Sequence, residues 1–158
     1  MDPRHDPSHW LYRLGANEWL RAADTELGHA EAALARRALR PAVTHARRAA
    51  GMALNALLVL EPRPDPRWGR SYMEHVVALA RPQGNVDVDV DPDVAGQAAD
   101  SGPHSIPPSI RQAARDLTAA PLSSPPLVKL GAPDRRPLDA AAEIVAWAGA
   151  RIPAPDAG

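Results

Sequence analysis

Cysteine and phenylalanine are both absent from this chain of 158 residues. Without thiols there is no disulfide framework, no thiolate metal site and no thiol nucleophile. Aromatic residues are scarce, at 4%. Alanine abounds, so helices packed closely through small side chains are expected in place of a sheet built on aromatic and β-branched residues. No apolar run approaches the length of a membrane span, and no charged-then-apolar leader opens the chain; a cytoplasmic protein with no membrane association is the expectation. A surplus of charge is lacking too: the net charge is -1 and the pI about 6.6. Such a balance supplies no global field for nucleic acid, so DNA is not expected as a partner and any contact with RNA must use a local basic patch. Lys129 is the only lysine among 18 basic residues, a bias that a GC-rich coding sequence produces without function.

The length suits one domain with a real core. The expected fold is all-α, an up-and-down bundle of about five helices with a disordered acidic loop inserted. Residues 1–9 read as a flexible lead, 10–152 as the helical domain, 81–105 as the acidic loop within it and 153–158 as a frayed tail. His5 and His9 have the spacing of a helical metal pair, but Pro3 and Pro7 oppose a helix there. Calcium ligation by Asp87, Asp89, Asp91 and Asp93 is opposed by the want of a turn glycine and a closing glutamate. No metal ligand is therefore assigned.

Helix one is predicted from Asn17 to Leu39, because Ala16, Leu20, Ala23, Leu27, Ala30 and Leu34 recur at 3-4 spacing. Its other side, with Glu18, Arg21 and Asp24, reads as a solvated face. Arg40-Pro41 is predicted to end that helix and begin the next, which runs to Leu60 with a stripe broad enough for a central position: Val43, Ala46, Ala50, Ala53 and Leu57, widened by Leu54 and Leu58. Glu61 to Gly69 is a proline-rich loop. Helix three follows from Ser71 to Ala80, helix four around Ile110 to Leu117, and helix five from Leu138 to Ile152.

Ser71-x-x-Glu74 before Val76, Val77 and Leu79 is a capping-box pattern, with Ser71 as N-cap. It puts Arg70 just outside the helix and His75 four residues inside. A guanidinium, an imidazole and the unsatisfied N–H groups of a helix start form a set suited to a phosphodiester. Arg70, Ser71 and His75 are the candidate catalytic residues. Trp68 and Tyr72 flank them as candidate substrate-binding residues, which either stack on bases or close a dimer seam.

Spacing alone does not select this pair. About 0.6 Arg-x4-His matches are expected by chance, and the chain has three: Arg4/His9, Arg40/His45 and Arg70/His75. The first lies in the flexible lead. For His45, followed by Arg47 and Arg48, a ring satisfied locally on a packed helix is the favoured reading, since no capping residue turns Arg40 inward.

Helices one to three, with Trp19-Leu20, Ala23, Leu27 and Ala30, then His45-Ala46, Ala49-Ala50, Ala53-Leu54 and Leu57-Leu58, then Arg70 and His75, resemble the HEPN domain. Ala141 to Trp147 is similar to that family's closing helix. The resemblance implies a homodimeric helical bundle, and in many members a metal-independent, cofactor-free endoribonuclease acting as a toxin or defence component, with a cognate antitoxin or other protein partner. The family's Arg-x4-6-His motif opens a late helix with a polar residue after the arginine, the places held here by Arg70, Ser71 and His75. Two such motifs face each other across the dimer axis. Val77 stands where toxins paired with nucleotidyltransferases carry a modified tyrosine, so that control is not implied; Asn55 stands where many members carry lysine.

A symmetric pair of histidines fits RNA cleavage, in which one ring removes the 2′-OH proton and the other protonates the leaving 5′ oxygen. Arg70 would hold the phosphate and favour neutral His75. The alternative is a non-enzymatic HEPN-like dimer that binds a protein partner or a small ligand.

Overall fold

Alanine and glycine line the centre of this protein, and the helices approach one another accordingly. The computed structural model describes residues 10–60, 71–81, 106–121 and 133–154. These form an all-α bundle: a short 3-10 helix at Trp10–Arg13, then α1 (Ala16–Ala35), α2 (Leu39–Leu60), α3 (Tyr72–Ala80), α4 (Pro108–Ala119) and α5 (Arg136–Arg151). No described helix is long and apolar enough to cross a membrane. Arg70 and Trp68, the lead, the acidic loop and the link after Pro121 lie outside the described residues.

Two buried clusters fill the bundle. One joins Ala30, Ala33 and Leu34 of α1 to Ala42, Ala46 and Ala50 of α2, with Val76, Leu79, Ile110, Leu117 and Ile144 around them. The other joins Ala16, Trp19 and Ala23 to Ala49, Met52, Ala53 and Ala56, with Val145 and Ala148. Early α1 therefore meets late α2, so the two run antiparallel; α5 runs with α2. α2 is the central helix, as its broad stripe predicts.

The boundary between α1 and α2 differs from the sequence expectation. α1 stops at Ala35, and a tight turn occupies residues 36–38. Arg37 adopts φ 57°, its N–H donates to the Leu34 carbonyl (2.8 Å), and the Ala38 N–H donates to the Ala33 carbonyl (2.9 Å). This is a Schellman motif, here without the glycine that usually marks it, which is why the sequence concealed it. Pro41 falls inside the first turn of α2, where a missing N–H leaves no bond unmade.

Two contacts place the outer helices on α2. Arg47 crosses to the end of α4, donating to the carbonyls of Leu117 (3.1 Å), Thr118 (3.1 Å) and Ala120 (2.9 Å). A cation is suited to a helix C-terminus, where carbonyls lack intrahelical partners. At Gly51, a Cβ would stand 2.4 Å from the Tyr72 Cβ and 2.7 Å from its Cα. The start of α3 thus lies on bare backbone, and α3 runs back along α2 from Tyr72 in one cluster to Leu79 in the other.

Gly51→Ala is expected to lower stability by about 1–3 kcal/mol through overpacking, although alanine is the better helix former. Gly28→Ala, on α1 with nothing within 4 Å of the added methyl, should raise it by about 1 kcal/mol. Urea unfolding of both variants measures the contrast, and a Gly51→Ala protein as stable as Gly28→Ala would contradict the close approach of α3.

Candidate functional site

The start of α3 is built as its sequence directs. Ser71 has extended backbone, its hydroxyl accepts from the Glu74 N–H (3.3 Å), and Glu74 Oε2 accepts from the Ser71 N–H (2.9 Å). The capping box is complete on both sides. Arg70 therefore precedes a sharply defined helix start, and Ser71 is committed to holding it.

His75 faces the other way from the solvent. It is 2% exposed, beside Val76 and Leu79 on the buried side of α3. Its ring stacks near that of Trp10, with centroids 6.4 Å apart and planes at 28°. Burial pushes its pKa down to about 4, against a smaller opposing pull from the Glu74 carboxylate. Neutral imidazole is thus the form present at pH 7, held so by desolvation within the bundle; Arg70, the cation that sequence reasoning set beside it, lies outside the described residues.

Tyr72 is engaged inside the protein as well. Its ring lies edge-on to Trp19 (6.5 Å), which is edge-on to Trp10 (6.1 Å). The Trp19 indole N–H donates to the Leu11 carbonyl (2.9 Å), so Trp19 fastens the 3-10 helix to α1. Of the five residues predicted for the site, the structure brings Ser71, Tyr72 and His75 onto one short helix but points them apart: a cap, a packing aromatic and a core ring.

Sequence reasoning passed over a second constellation. Glu26 and His29, three residues apart on α1, meet His45 of α2, the histidine read as satisfied locally. His45 Nδ1 lies 2.6 Å from Glu26 Oε2, which accounts for that reading. The His29 and His45 rings are 5.2 Å apart at 64°. Arg48 approaches the same carboxylate at 3.9 Å. The Glu-x-x-His spacing on one helix was visible in the sequence, but its third member depended on the helix turn. An open groove of about 320 Å³ also lies between α4 and α5, bordered by Gln112, Asp116, Arg136, Asp139 and Glu143.

The burial of His75 sets a pH dependence. Below about pH 6.5 the unfolded chain takes up a proton at this ring that the folded chain refuses until about pH 4. Stability is therefore expected to fall as pH drops through that window, by about 3 kcal/mol in all. Comparing unfolding of the wild type and His75→Leu from pH 7 to 4 isolates the effect, and parallel curves would show that the ring is not held neutral.

Comparisons with protein-family models, with curated proteins and with solved structures return no match to this chain.

Proposed function

We propose that this protein is a non-enzymatic helical bundle of HEPN-like type that self-associates through α3 and serves to bind a protein partner. The reading rests on the orientation of α3. His75, Val76 and Leu79 turn inward, while Met73 is half-buried and Val77 is 38% exposed. Glu74 is the only acidic residue on a helix otherwise almost wholly apolar, and the exposure of Val77 on such a helix is best explained by a second surface that covers it. A dimer closed over Val77 keeps both His75 rings on the far sides of their helices.

Chemistry points the same way. Cleavage by a histidine pair needs one imidazole as base and one imidazolium as acid. A ring with a pKa of about 4 is a poor proton acceptor and is protonated at pH 7 in about one molecule in a thousand, which weighs against its serving as the acid. Its 2% exposure weighs against the approach of a phosphodiester too.

The nuclease reading retains one observation in its favour, the completed Ser71–Glu74 cap, which gives α3 a defined helix start directly after Arg70 in the sequence. In that reading Arg70 binds the phosphate, one His75 takes the 2′-OH proton, the partner chain's copy protonates the 5′ oxygen, and a cyclic phosphate forms as the P–O5′ bond breaks.

Two measurements decide between them. Analytical ultracentrifugation is expected to show a dimer that Val77→Asp converts to monomer with its helical signal intact; a wild-type monomer sinks the proposal. Incubation with RNA in chelator is expected to leave the RNA uncut. Cleavage that is lost in both Arg70→Ala and His75→Ala would establish the nuclease instead.

A further inference from the structure

The cluster between α1 and α2 supports a site that no part of the α3 argument uses. Its assembly follows from the turn at Arg37. His29 and His45 each lie eight positions from that residue, and in an antiparallel helical hairpin such positions come face to face. Glu26 is one turn farther back on the same side of α1, because residues three apart share a helix face. The hairpin thus converges two imidazoles and a carboxylate whose ligand atoms all lie within 4.8 Å of one another.

We propose that Glu26, His29 and His45 bind one first-row divalent cation, with Zn²⁺ the best match, and that a water completes the coordination. Tetrahedral zinc with ligands at about 2.0–2.1 Å requires ligand atoms roughly 3.3 Å apart. Small rotations about side-chain bonds close that gap, since Glu26 and His45 are already in contact and the His29 ring is adjacent. Two nitrogen ligands and one oxygen ligand favour zinc over calcium or magnesium, which take oxygen sets. Exposure is graded across the site: the Glu26 side chain is 12% exposed and that of His45 28%, with His29 open to solvent. The cation has a route in, and a water has room on the outer side.

Without a metal, a hydrogen bond joins Glu26 and His45 (2.6 Å) where the cation would sit, and metal binding would replace it. Arg48 is the charged neighbour at the site, 3.9 Å from the other Glu26 oxygen; it opposes a cation and lowers the affinity. A bound ion would tie α1 to α2 beyond their packing and stabilise the folded chain.

The test uses the full chain without an affinity tag, stripped with chelator and titrated with Co²⁺ by absorbance and with Zn²⁺ by calorimetry. One equivalent is expected to bind with the Co²⁺ spectrum of a tetrahedral nitrogen and oxygen site, and Zn²⁺ is expected to raise Tm. His29→Ala removes an exposed ring that the core does not need, and should weaken binding by about tenfold or more. Glu26→Gln should do the same, while Arg48→Ala should tighten binding several-fold. A His5→Ala/His9→Ala double variant is expected to bind as the wild type does. The proposal is overturned if no one-equivalent binding is seen, or if binding survives His29→Ala and disappears in the double variant.

Discussion

Alanine dominates the face that helix α2 turns to α1, and the architecture follows from that constraint. Ala42, Ala46, Ala49, Ala50, Ala53 and Ala56 are buried, as are their counterparts Ala23, Ala30 and Ala33 on α1. An alanine methyl removes little apolar area from water, so this seam cannot be stabilised by area alone in the way a leucine core is. It gains instead from many atoms at short range, since dispersion is lost quickly when packed surfaces separate. The larger side chains, Leu54, Leu79, Leu117 and Ile144, fill the space where α3, α4 and α5 close over α2. The protein thus has a thin, close seam and a thicker core beside it, and Gly51 is where the seam extends to a third helix.

Helical periodicity was legible because α1, α4 and α5 each have one buried and one wet face. The broad stripe of α2 correctly marked the central helix, and Ser71 and Glu74 marked the start of α3, because a capping box is local chemistry that tertiary packing has no reason to override. The end of α1 was hidden, because Arg37 takes a left-handed conformation that sequence habit assigns to glycine or asparagine. Arg47 read as part of a local positive patch, yet its guanidinium satisfies carbonyls on α4, seventy and more positions away. No window of sequence contains that information. Asn55 was legible as standing where many members of the resembled family carry lysine, but not as a buried amide with neither polar atom paired among the described residues. Such a group costs about 1–3 kcal/mol when left unmade.

The candidate site shows the same division more sharply. Which residues stand near the start of α3 can be read from the sequence. The direction in which His75 faces depends on which side of a nine-residue, mostly apolar helix meets α2, and periodicity does not choose when apolar residues surround the helix. Val76 and Leu79 fix the choice, and His75 is carried inward with them.

His45 and His75 each follow an arginine by five positions, and the bundle gives them opposite surroundings. One is stacked near Trp10 inside the protein, with burial holding it neutral. The other touches solvent, with a carboxylate at 2.6 Å and a second imidazole alongside. A histidine that exchanges a proton or accepts a ligand needs an open path to solvent, which a core histidine lacks unless the fold opens. On that ground the α1–α2 hairpin is a better place than α3 for the coordination proposed above. The motif spacing that both histidines share carries none of that distinction, which arises from the turn at Arg37 in one case and from the bare backbone of Gly51 in the other.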